Sequence, residues 1–179
     1  MLGGRQLRQS LLALNVGVLV LHGQQKPPVY RPPDEKLPQA GAPQPIAFNH
    51  KKHVALGLSC LDCHAGAAEE EQAGFPPTEY CMTCHETIKP DAPGIKKLAA
   101  AHQRGEKVKW VRVYGLPDFV FFSHANHAKA SVQCESCHGP VAERQVLAKE
   151  VSTGMVMCMN CHAAKKAANG CSTCHQLGF

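Results

Sequence analysis

Ten cysteines and one spacing constrain this chain more than anything else in it. All ten fall in the pattern Cys-x-x-Cys-His: Cys60/Cys63/His64, Cys81/Cys84/His85, Cys134/Cys137/His138, Cys158/Cys161/His162 and Cys171/Cys174/His175. None is left over. Zinc needs four ligands and has no use for a histidine directly after every second cysteine. A thioredoxin-type pair would occur once. The repeated motif is the attachment pattern of c-type haem. The two thiols bond the haem vinyl groups, and the adjacent histidine supplies one axial nitrogen to iron.

Five covalently bound haem c groups leave little room for any other core. Residues 46–179 carry all five motifs, about 27 residues for each. A chain of this length ordinarily buries its own side chains in one domain. Here the expectation is a multihaem cytochrome c fold with a haem-dominated core. It is mostly loops with short helices and little β, built as two dihaem repeats plus a fifth haem. Such a chain depends on its cofactor to fold. The formal charge of +5 is offset by haem propionates. The lysine pairs 51–52, 96–97 and 165–166 are scattered, which argues against a nucleic-acid partner.

The repeat is explicit. FNHKKHVALGLSCLDCH, residues 48–64, matches FSHANHAKASVQCESCH, residues 122–138, with Phe48, His50, His53, Cys60 and His64 each 74 positions before its counterpart. The histidines ahead of each motif are candidate distal iron ligands: His50, His53, His124 and His127. Their i, i+3 spacing sends two side chains out from one helical turn. The first would serve the haem of its own repeat and the second a neighbour. A fifth distal ligand is open between Met155 and His102, with His22 a poor third and a vacant site as the alternative.

Along the chain, residues 1–23 resemble a signal peptide or N-terminal anchor: Arg5 and Arg8, then an apolar run from Leu11 to Leu21. Residues 24–45 hold seven of the 13 prolines and form a Pro-rich linker. The pentahaem domain is 46–179, with repeats at 46–85 and 122–162 and the fifth motif at 171–175. Residues 65–80 suggest a surface loop, with Phe75 and Tyr80 against haem. Pro90–Gly94 is a turn signal, and Ile95–His102 a short helix ended near Gly105. Val108–Phe122 is β-prone and aromatic, interrupted by Pro117. It is a flap over haem edges or a docking strand for another subunit.

The Phe-x-His-x-x-His…Cys-x-x-Cys-His unit resembles the class III cytochromes c. Trp110–Val113, Leu116–Asp118, Phe122, His124/His127, His138–Val141 and Met155 are similar to the multihaem cytochrome subunit of alternative complex III and related menaquinone-linked complexes. Val156-Met157 stands where that family has Gly-Trp. The resemblance implies an electron-transfer subunit with no substrate chemistry of its own. It implies partners of iron–sulfur or molybdopterin type and integral membrane subunits of a quinone-linked complex, or another cytochrome. It also implies membrane association on the periplasmic side.

Export fits the cysteines, because covalent haem attachment in bacteria takes place outside the cytoplasm. A soluble periplasmic shuttle is the nearest variant reading. A multihaem reductase with an open haem is the rival from another class. The two classes separate in the oxidised visible and EPR spectra. An electron carrier shows only low-spin haem that ignores nitrite and hydroxylamine, and a reductase shows a high-spin signal that shifts with them.

Overall fold

The computed structural model describes residues 40–176, together with Val29 and Leu37. The expected targeting segment at 1–23 and most of the Pro-rich stretch lie outside the described residues.

Short helices and connecting loops make up this region. In chain order they are α1 (His50–Val54), α2 (Cys60–Cys63), α3 (Gly66–Glu69), α4 (Thr78–His85), α5 (Pro93–Gln103), α6 (His124–Lys129) and α7 (Glu135–His138). A 3₁₀ turn follows at Val141–Glu143, then α8 (Met155–Lys165) and α9 (Cys171–Cys174). Among the described residues there is no strand. One isolated bridge joins Val120 to His175. No helix there is long and apolar enough to cross a membrane.

The repeat in sequence is also a repeat in backbone. Each His-x-x-His helix is started by a polar cap directly after the repeated phenylalanine. Asn49 Oδ1 accepts from Lys52 N at 3.0 Å, and Ser123 Oγ accepts from Asn126 N at 3.2 Å. Such caps satisfy N–H groups that a helix leaves without internal partners. Both helices stop at a left-handed residue in the same register, Gly57 (φ 91°) and Ser131 (φ 55°). Glycine enters that conformation without penalty and serine does not.

The two repeats complete one another. Lys51 N, in α1, donates to Arg144 O at 3.0 Å, just past the 3₁₀ turn of the second repeat. Ala125 N, in α6, donates to Glu70 O at 2.9 Å, just past α3 of the first. Ala125 lies 74 positions after Lys51 and Glu70 lies 74 positions before Arg144, so the exchange is reciprocal. Neither helix start is finished by its own repeat.

The halves differ after residue 144. Arg144 forms a two-pronged ion pair with Glu150, Nε–Oε1 2.6 Å and Nη2–Oε2 2.8 Å. The hydrogen bonds from Arg144 hold the Glu150 carboxyl below the ordinary carboxylate range. The pair therefore persists at neutral pH and is lost only as pH falls below that range. Tyr114 closes the same loop. Its hydroxyl donates to His138 O (3.1 Å) and accepts from Glu150 N (2.9 Å) and Val151 N (3.3 Å).

Few side chains are buried. Met82, Leu98, Ala101 and Ala125 are the buried apolar ones among the described residues, with Thr78 beside them. Most of these sit where α5 packs on α4. That scarcity agrees with the multihaem fold expected from the motif density.

Some local expectations shift. The helix expected at 95–102 begins two residues earlier, because Pro93 takes the first helical position, where its missing N–H costs nothing. The loop expected over 65–80 contains α3, and α4 begins at Thr78. The β-prone 108–122 stretch runs without ladder partners except at Val120, consistent with Pro117 and Gly115 in its middle. The linker's end is docked: Gln44 Oε1 accepts from Val111 N at 3.0 Å and its Nε2 donates to Val111 O at 2.9 Å. Gly41 lies so close to Leu147 O and Val146 that a Cβ there would collide with them.

Ser131→Gly should relieve the left-handed strain and stabilise the holoprotein by about 1 kcal/mol, and Gly57→Ser should cost about the same. Guanidinium unfolding midpoints of the two variants check this.

Candidate functional site

A single helical turn builds each motif. Residues i, i+3 and i+4 lie on one face of a helix, so two thiols and an imidazole emerge together. The turn is closed by His64 N to Cys60 O (2.9 Å), His138 N to Cys134 O (3.0 Å) and His175 N to Cys171 O (3.0 Å). The other two motifs lie in the longer helices α4 and α8.

No disulfide joins any of the ten cysteines. Burial pushes several of them up, and their neighbours reveal how the motifs sit. After burial, Cys134 raises Cys60. Cys63 raises Cys81. Cys158 and Cys161 raise Cys137, and Cys174 raises Cys158. The motifs thus lie in a row: second, first, third, fourth, fifth. The first motifs of the two repeats meet in the middle.

The histidines are brought together in pairs. Ring centroids are 6.2 Å apart for His53 and His85, 6.3 Å for His124 and His138, and 6.1 Å for His127 and His162. His50 and His64 are near enough for charge coupling. Burial first, then the charges of His64 and His53, push His50 down to about 4. Burial, then His124 and His64, also lower His138. The first histidine of each His-x-x-His thus meets its own repeat's motif, and the second meets the next motif along the chain.

Most of these rings are oriented by a backbone carbonyl at Nδ1. The acceptors are Asn49 O for His53 (2.8 Å), Gly74 O for His64 (2.8 Å), Ile88 O for His85 (2.9 Å) and Glu71 O for His124 (2.9 Å). Ser123 O serves His127 (2.8 Å) and Ala168 O serves His162 (2.6 Å). The contact from His175 to Phe119 O is long, at 3.4 Å. An imidazole that donates through Nδ1 leaves Nε2 free as a ligand.

The repeated phenylalanines brace both histidines of their helix, a role the sequence register hinted at without specifying. Phe48 stacks on His53 (4.4 Å, 14°) and meets His50 edge-on (4.8 Å, 78°). Phe122 does the same to His127 (4.6 Å, 29°) and His124 (4.7 Å, 88°). Tyr114, against His138 at 4.7 Å, carried no sequence signal beyond its place in an aromatic stretch.

His175 meets Phe119 rather than a second imidazole among the described residues, with ring centroids 5.7 Å apart. Of the two candidates for a fifth distal ligand, His102 faces α4, with its Nδ1 3.3 Å from Thr78 Oγ1, and lines a cavity with Met82 and His85. Met155 opens α8 with an exposed side chain.

This donor set suits a planar iron cofactor attached at its edge. An ion between two imidazole nitrogens, each about 2 Å away, spaces the ring centroids roughly 6 Å apart. Three of the pairs have that spacing, with paired thiols beside them. Among the described residues, no group of three or more His, Cys, Asp or Glu side chains converges to hold a bare metal ion by itself.

Residues 27–113 match the model of the class III cytochrome c family, and residues 120–176 match that of cytochrome c7 and related cytochromes c. The chain is also 31% identical over 161 residues to the multihaem cytochrome c subunit of menaquinone reductase from Nitratidesulfovibrio vulgaris (strain Hildenborough), covering 74% of this chain and 77% of that protein. This chain is a class III-type multihaem cytochrome c. Proteins of this family carry covalently bound haem c and transfer electrons, and the helix-and-loop fold is the one expected for them.

In this cytochrome Phe48 and Phe122 each touch two histidines, so Phe122→Ala should disturb two sites together. The expected result is a change in two low-spin EPR signals of the oxidised protein with the others unmoved.

Proposed function

We infer that this cytochrome carries five haem c groups and serves as the electron-transfer subunit of a membrane quinone-linked complex. The observation that carries the reading is the row of motifs. Five Cys-x-x-Cys-His motifs stand side by side, each within charge-coupling range of the next.

Haem c, when bound, supplies one-electron iron(III)/iron(II) chemistry. The residues divide the remaining work. Cys60, Cys63, Cys81, Cys84, Cys134, Cys137, Cys158, Cys161, Cys171 and Cys174 hold the groups covalently. His64, His85, His138, His162 and His175 are the proximal ligands. His50, His53, His124 and His127 are the distal ligands of the first, second, third and fourth motifs in turn, supported by the pairings above. Carbonyls fix the tautomers, and Phe48 and Phe122 keep the rings from turning. The folded unit is taken as residues 46–179, with 1–23 as signal or anchor and 24–45 as linker.

The partner reading rests on the relative, which is a subunit of a menaquinone reductase by its name. The proposed partners are iron–sulfur or molybdopterin-type and integral membrane subunits, and the proposed location is the periplasmic face of the cytoplasmic membrane. The second and fifth motifs end the row, so donor and acceptor would dock there.

Two measurements test this reading. The pyridine haemochrome of the purified chain should give five haem c per polypeptide, and fewer would break the row. On a native gel of detergent-solubilised membranes, haem stain should run with a large assembly that contains iron–sulfur and integral membrane subunits. Stain confined to a small soluble band would replace the complex by a free shuttle.

A further inference from the structure

The two repeats differ at the histidine that opens each His-x-x-His helix. His124 Nδ1 lies 2.9 Å from Glu71 O, and its backbone N donates to the same carbonyl at 3.1 Å. The counterpart of His124 is His50, and the counterpart of Glu71 is Gln145, each 74 positions away. Yet His50 Nδ1 is buried and has no hydrogen-bond partner among the described residues.

The reason lies one residue earlier. Arg144, the counterpart of Glu70, is tied to Glu150 by its two-pronged ion pair. Both residues are extended, but ψ is 132° at Arg144 (φ −98°) and 173° at Glu70 (φ −122°), which turns the following carbonyl differently. Lys51 still reaches the Arg144 carbonyl at 3.0 Å, but the next carbonyl does not reach His50. Buried donors are nearly always satisfied, and one left alone in a native fold calls for an explanation.

A hydrogen bond from Nδ1 to a carbonyl makes an imidazole a more basic ligand. A more basic axial ligand favours ferric over ferrous iron, and hydrogen bonding around the ligands is one of the protein's means of setting potential. At the second and fourth motifs all four paired imidazoles, His53, His85, His127 and His162, have such carbonyls. At the first motif only His64 does.

We propose that His50 is a potential-setting residue: its unpartnered Nδ1 raises the reduction potential of the first-motif haem above those of the second and fourth. The inference rests on the ligand set inferred above. It makes the first-motif haem a more favoured seat for an electron than its neighbour at the second-motif end.

The test uses the full-length holoprotein. In His50→Gly and, separately, His124→Gly, the missing ring is replaced by added imidazole or by 1-methylimidazole, which has no N–H to donate. Each variant should gain one high-spin ferric signal that returns to low spin with either compound. In His124→Gly, imidazole should lower the midpoint relative to 1-methylimidazole by about tenfold in the ferric-to-ferrous ratio, about 59 mV for one electron. In His50→Gly the two compounds should give the same midpoint. If His50→Gly leaves the spin state unchanged, His50 is no ligand and the ligand reading itself falls. If its spin state changes but imidazole lowers the midpoint as in His124→Gly, the ligand reading stands and the proposal is overturned. Should a variant fail to fold, nitrogen-15 NMR of the reduced wild-type protein decides. The His50 Nδ1 should stand at the shift of a free N–H, apart from those of His53, His85, His127 and His162. His50 Nδ1 in the bonded range with those four would overturn the proposal.

Discussion

The first N–H groups of a helix have no partner within it, and in a five- or six-residue helix they are most of the helix. That constraint organises this protein. The His-x-x-His helices are too short to persist alone. Their starts are met partly by Asn49 and Ser123 and partly by carbonyls borrowed from the opposite repeat. The borrowing brings the first motifs of the two repeats together, because the lending segments, α3 and the 3₁₀ turn, directly follow those motifs. The central pair of the row is therefore a consequence of helix capping as much as of cofactor packing.

From that centre the arrangement extends by local chain geometry. The second histidine of each helix, three residues past the first, projects toward the following motif. The fifth motif is held differently. It is stitched to the 107–122 segment by Phe121 N to Cys174 O at 2.8 Å and by the bridge at His175. The segment with the highest β-propensity in the chain thus acts as a strap for the last motif.

Much of this was legible in the sequence. Cysteine spacing put two thiols and an imidazole of each motif together, because a helical turn translates i, i+3, i+4 directly into a shared face. The 74-residue register gave the four paired histidines and the rule that pairs them, because equal spacing produces equal geometry. What could not be read was everything set by contacts across the repeats. The order of motifs depends on which segments lend carbonyls, and nothing in the residue types of Glu70 or Arg144 marks them as lenders. The roles of Phe48, Phe122 and Tyr114 depend on ring orientation. For His175 the histidine count alone implied a shortfall, and neither Met155 nor His102 is brought to that ring.

The reciprocal capping also bears on how the chain matures. Lys51 waits for Arg144, 93 residues further on. Contacts of such long sequence separation form late, since loop closure must come before the reward. The first repeat is thus held back from closing until the second has been delivered. A chain that closes late keeps its early Cys-x-x-Cys-His motifs extended and reachable for longer. Delay of that kind suits the proposed joining of haem to those thiols before the fold shuts over them.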